Sequence, residues 1–191
     1  MGLLDTILGR TKPKQANLDA LFALPSAAIT LEAATDLVPT GTGSVCFRST
    51  EGRAFADVEK DVCDLLNMTS GQDAPPVKVS QDSYGFTWLM VKRPADQVAD
   101  LVTDVHAVNS SLQDNGFGPQ LLCSLVNFAS PKSRVALVYL YKRGTFYPFA
   151  PTGHERRDNG LEIRVKAAIE GDLKIEPELT RWFALWDAPG L

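Results

Sequence analysis

Apolar residues recur along this chain at two spacings, every three to four positions and every second position, and the two patterns alternate. Phe55, Val58, Val62, Leu65 and Leu66 share one face of a helix that turns every 3.6 residues, while Asp57, Glu59, Lys60, Asp61 and Asp64 fill the other. That amphipathic stripe predicts a helix over 53–68. Val98, Leu101, Val102, Val105, Val108 and Leu112 keep the same phase. They predict the longest helix, over 94–113, with Pro94 in its first turn and Asn115-Gly116 stopping it. Shorter helices are predicted over 17–24, capped by Asn17 and closed by Pro25, and over 159–169. A last helix over 177–186 carries Leu179, Trp182, Phe183 and Trp186 on one face. Trp182, Phe183 and Trp186 offer too much aromatic area to leave in water, so they are expected to cover the sheet or to form an interface with a partner or a second copy.

Alternation and β-branched or aromatic residues mark the strands. They are predicted in pairs: 28–32 with 44–49 around a turn at 39–43, 77–79 with 84–92, and 121–128 with 134–141. Strands joined by short turns pair antiparallel. The expected fold class is therefore α+β, an antiparallel sheet built from strand pairs alternating with helices, the helices on one face.

The first fourteen residues stand apart. Leu3, Leu4, Ile7 and Leu8 fall on one helical face, and Arg10, Lys12 and Lys14 follow as a basic collar before the pattern restarts at Asn17. The chain thus divides into an amphipathic segment with a basic linker, 1–15, and a single α+β domain, 16–191. The apolar run is far shorter than the ~20 residues that span a bilayer. It lacks the architecture of a secretory signal. Half-burying four large side chains is worth ~3–6 kcal/mol, taking ~1.5–3 kcal/mol for each full burial, and each cation adds about 1 kcal/mol near anionic lipid. Weak attachment to a membrane surface follows, or docking on the protein's own body or on a second copy. Met1-Gly2-Leu3-Leu4-Asp5-Thr6 also fits an N-myristoylation pattern, which requires a eukaryotic host.

Composition narrows the functions. A net charge of −4 and only short basic clusters, Lys142-Arg143 and Arg156-Arg157, oppose a nucleic-acid partner. Cys46, Cys63 and Cys123 are odd in number, unpaired in spacing and set among apolar neighbours, which suits buried thiols in a reducing cytoplasm.

No catalytic constellation assembles. In His154-Glu155-Arg156-Arg157-Asp158 the second zinc ligand would be Asp158 rather than a histidine, and the neighbours Pro151, Gly153, Asn159 and Gly160 suit a loop. His106 lies in the long helix and suits packing. Gly41-Thr42-Gly43-Ser44 lacks the lysine and the helix of a phosphate loop and suits a tight turn. The alternating Tyr139, Tyr141, Phe146, Tyr147 and Phe149 suit core plus edge better than a stacking platform.

Met1-Gly2-Leu3-Leu4-Asp5, the run 17–31 (Asn-Leu-Asp-Ala-Leu-Phe-Ala-Leu-Pro-Ser-Ala-Ala-Ile-Thr-Leu), Gly43-Ser44-Val45-Cys46-Phe47, Tyr147-Pro148-Phe149-Ala150-Pro151 and Arg157-Asp158 together resemble the PspA-associated PspAB family. The element order is also distantly similar to the YbjN and type III secretion chaperone-like fold. The resemblance implies a non-enzymatic accessory of a phage-shock-type envelope stress response, cytoplasmic or peripheral at the inner face of the membrane. Its implied partners are a PspA-like coiled-coil protein and an HtpX-type membrane protease, with no cofactor and no family active-site residues to transfer. The other reading of the residues is a degenerate metal-dependent hydrolase around His154, Glu155 and Asp158.

Overall fold

The computed structural model describes residues 16–48, 53–69 and 76–191. The apolar face of Leu3, Leu4, Ile7 and Leu8 and its collar of Arg10, Lys12 and Lys14 lie outside the described residues. Six antiparallel strands form the main sheet in the order β2-β3-β1-β4-β5-β6. They are β1 (Val38–Phe47), β2 (Lys78–Gln81), β3 (Thr87–Lys92), β4 (Leu121–Ala129), β5 (Arg134–Leu140) and β6 (Thr145–Phe149). A two-stranded ribbon, β7 (Pro151–Gly153) and β8 (Arg156–Arg157), follows. Among the described residues the α-helices are α1 (Leu24–Thr35), α2 (Arg53–Thr69), α3 (Val98–Leu112) and α4 (Asn159–Ile169). The fold is α+β with an antiparallel sheet, as the patterning predicts.

Helix α3 crosses the centre of the sheet over β1, β3 and β4, with α1 over β1 and α4 over β6. On the helical side, Val45, Phe47, Leu89, Val126, Phe128, Leu137 and Tyr139 meet Leu24, Leu31, Leu101, Val105 and Val165 in one buried core. The opposite side carries a second apolar cluster around Trp88, Leu125, Val138, Tyr147 and Phe149. No helix covers it. The chain after Ile175 does, as an extended strap with Trp182 and Ala188 buried against the sheet.

The structure corrects the chain's two ends. Residues 28–32 are not a strand, because Leu24, Ala27, Ala28 and Leu31 are buried at helical spacing in α1. Pro25 does not close a helix; it occupies the first turn of α1, where its missing N–H has no partner to lose. Asn17 makes no side-chain cap and precedes a 3-10 turn, Leu18–Ala23. The first strand pair is therefore a single strand. The predicted turn at 39–43 lies inside β1, which pairs with β3 and β4 instead.

The glycines of that segment serve close packing. A Cβ on Gly43 would stand 2.9 Å from Val105 of α3, and Gly41, at φ +71°, would drive one into the Arg93 carbonyl. The run 177–186 is not a helix either: it contains one 3-10 turn, Leu179–Arg181, and is otherwise irregular. Among the described residues the longest α-helix is α2; α3 begins at Val98, after a Pro94 turn, rather than at Pro94.

Leu18–Thr35 is the one stretch among the described residues long and apolar enough to cross a membrane by length and composition. Its Leu18, Leu21, Leu24, Ala27, Ala28 and Leu31 are packed in the core.

Candidate functional site

The strap and the face of the sheet opposite the helices enclose a cleft of about 560 Å³ at the end of the sheet where β1 finishes and β3 and β4 begin. Its floor is Cys46, Trp88, Cys123, Leu140 and Tyr147, and its far wall is Phe183, Leu185 and Trp186. Tyr84 and Phe86, from the loop between β2 and β3, form the side.

Asp82 builds that side locally. Its carboxylate accepts the backbone N–H groups of Tyr84 and Phe86, each at 2.9 Å, and the Trp88 indole N–H at 2.8 Å. This is the Asx-turn habit of aspartate, here also fixing an aromatic ring in the floor. Asp187 of the strap in turn accepts from the Ser83 backbone.

The strap is held by hydrogen bonds to its carbonyls. Arg157 donates to Trp182 O at 2.7 Å, Tyr147 to Phe183 O at 3.0 Å and Asn127 to Pro189 O at 2.9 Å, while the Trp182 indole donates to Glu176 O at 3.0 Å. Burial pushes the Tyr147 phenol well up, so it remains a donor. Glu176 anchors the start of the strap. Burial alone would raise its carboxyl, but hydrogen bonds from Arg143, Thr145 and the Glu178 backbone outweigh it and hold the group below its ordinary range.

Cys46 and Cys123 lie directly opposite each other on β1 and β4 in the cleft floor. Their mutual hydrogen bond, then burial, push the Cys46 thiol far above the ordinary cysteine range. A neutral buried thiol is a poor nucleophile. Cys63 on α2 is only half-buried, though burial and then Glu59 and Asp64 raise it too. Iodoacetamide at pH 8 is therefore expected to modify Cys63 in the native protein and to reach Cys46 and Cys123 only after unfolding, as read by peptide mass spectrometry. Comparable native labelling of Cys46 or Cys123 would mean that the floor carries a thiolate.

The sequence candidates separate in space. His154 and Glu155, at φ 51° and 50°, form the exposed two-residue turn between β7 and β8, where both central residues adopt the left-handed conformation of a type I′ hairpin. Asp158 caps α4 through the Leu161 N–H at 2.8 Å. The Glu155 carboxylate accepts from Tyr84 Oη at 3.4 Å. Among the described residues, no three His, Cys, Asp or Glu side chains converge as metal ligands. His106 packs on Phe22, ring centroids 4.8 Å apart.

Trp182, Phe183 and Trp186 do not share a helical face. Trp182 is buried over Tyr147, Trp186 packs edge-on against Phe149, and Phe183 is 58% exposed at the mouth of the cleft. The sequence singles out these three aromatics but not the cleft, which Phe183 and Trp186 line and Trp182 does not. The signal was the period-two alternation that sends Cys46, Trp88, Leu140 and Tyr147 to one side of the sheet. Both sides are apolar, so alternation did not say which one stays open.

Comparison with curated proteins and with solved structures returns no match. The family model PspAB, PspA associated protein B, matches residues 1–190, and the chain belongs to that family.

Proposed function

We propose that this chain is a non-enzymatic adaptor of a phage-shock-type envelope stress response, holding a PspA-like coiled-coil protein through the apolar cleft. Family membership supports a PspA-associated accessory role. The observation that carries the finer reading is the make-up of the cleft. Its lining is mainly aromatic and aliphatic with Lys142, Arg143 and Arg181 at the rim, among the described residues it contains no histidine, serine or threonine, and its carboxylates Asp82 and Asp187 are engaged in shaping the walls. Such a cleft suits holding an apolar side chain better than activating water. A coiled coil presents apolar side chains in a seam, and an amphipathic helix laid into an apolar groove is a recurrent mode of recognition.

Leu3, Leu4, Ile7 and Leu8 with Arg10, Lys12 and Lys14 suit contact with an anionic membrane surface, which would bring a cytoplasmic protein to the inner face of the membrane.

Titration of the full chain against a PspA-like coiled-coil protein from the same genome tests the reading. Phe183→Ala and Tyr84→Ala are expected to weaken binding at least tenfold, because truncating an aromatic anchor in an interface costs more than about 1.4 kcal/mol. His154→Ala, outside the cleft lining, should leave binding unchanged. Undiminished binding by both cleft variants would overturn the proposal. Stoichiometric zinc that disappears in the His154→Ala variant would favour the hydrolase instead.

A further inference from the structure

The chain's own route points to what fills the cleft. Tyr139 Oη donates to Asn17 O at 2.7 Å, and Asn17 lies against Gly144, so the described chain begins beside the turn that joins β5 to β6. The same turn supplies Lys142 and Arg143 to the cleft rim. Asn17 is on the helical side of the sheet and the cleft is on the other. The path between them rounds the sheet end; with about 10 Å between packed layers, the layer that holds Asn17 and the strap on the other side stand about 20 Å apart. Residues 9–16 can bridge it: at roughly 3.3–3.6 Å per extended residue they reach up to about 28 Å. Beyond that linker come Leu3, Leu4, Ile7 and Leu8, the apolar set that the sequence places on one helical face.

We propose that the N-terminal apolar face, Leu3, Leu4, Ile7 and Leu8, is the resident occupant of the cleft of its own chain, and that a membrane or the coiled coil must displace it. A short tether makes docking intramolecular, with an effective concentration of order millimolar. A face too weak to hold a partner in solution therefore still fills the cleft. Membrane contact and cleft occupancy then compete for the same apolar face. This rests on reading the cleft as an apolar docking site.

The test uses the full chain with a photo-crosslinking amino acid in place of Leu4 or Ile7. Cross-links are expected within one chain, to Tyr84, Phe86 or residues 183–186, and should be lost when vesicles rich in anionic phospholipid are added. A mixture of light and heavy isotope-labelled protein separates links within a chain from links between two. In parallel, a synthetic peptide of residues 1–14 should bind Leu4→Asp/Ile7→Asp full-length protein at least tenfold more tightly than wild type, whose cleft is already filled. Cross-links confined to the helical side, links between copies, or equal peptide binding by the two proteins would overturn the proposal. None of these readouts involves the coiled coil, so the inference and the adaptor reading fail separately: coiled-coil binding sensitive to Phe183→Ala with no cross-link to the cleft leaves the adaptor standing alone.

Discussion

Trp182→Ala is expected to destabilise the protein by ~3–5 kcal/mol, the range for truncating a buried tryptophan. The ring is 6% exposed, stacks on Tyr147 with centroids 6.0 Å apart and donates to the Glu176 carbonyl. Its loss would open a void under the strap, because Tyr147 and the sheet behind it are too constrained to collapse into the space. At roughly 2–4 °C per kcal/mol for a domain of this size, the melting temperature should fall visibly. A urea midpoint that drops with an unchanged slope would place the effect in the native state. Phe183→Ala is the control. That side chain is more than half exposed, so its truncation should change stability by no more than about 0.5 kcal/mol while weakening whatever occupies the cleft. If instead Trp182→Ala leaves stability untouched, the strap is not part of the folded core and the cleft loses its far wall.

Elements whose local pattern and tertiary setting agree were legible. Helices α2 and α3 carry long apolar stripes with a polar opposite face or a buried one, and β3, β4 and β5 combine alternation with β-branched residues. The misread elements are those where two local signals conflict. Ile29-Thr30-Leu31 suits a strand by composition, yet the spacing of Leu24, Ala27, Ala28 and Leu31 is helical, and a proline in the first turn begins a helix as readily as one placed after it ends one.

The strap shows the reverse conflict. Leu179, Trp182, Phe183 and Trp186 are spaced like a helix face, but a helix there would use the Trp182 carbonyl that Arg157 occupies and would re-aim the Phe183 carbonyl that Tyr147 reaches. Long-range donors decided that segment, and nothing adjacent in sequence announces them. β6 shows in the sequence only as the alternating Phe146, Tyr147 and Phe149; its Pro148 is tolerated on the edge strand, where residues 174–176 partly cover β6. The cleft escaped for the same kind of reason: its floor, side and far wall come from separate parts of the chain. Of the site residues expected from the sequence, Trp182, Phe183 and Trp186 lie among the described residues, on the strap and without a shared helix face.

Arg157→Met should cost ~3–5 kcal/mol, the range for breaking a buried ion pair by removing one partner. The Arg157 guanidinium reaches both Glu162 oxygens at 2.9 and 3.0 Å, donates to Trp182 O and sits 5.1 Å over the Phe149 ring. It therefore ties α4, the strap and β6 together through one side chain. Methionine keeps much of the volume but leaves the Glu162 carboxylate, 3% exposed, without its countercharge, while the Ala150 N–H still donates to it at 2.9 Å. The double variant Arg157→Met/Glu162→Leu is expected to lose less than Arg157→Met alone, because replacing both partners with apolar groups removes the stranded charge. Denaturant midpoints for the two single variants and the double variant close that cycle. Additive losses would mean that the two side chains act independently; a small loss in Arg157→Met would mean that Glu162 is solvated and that the strap is held by its aromatic contacts alone.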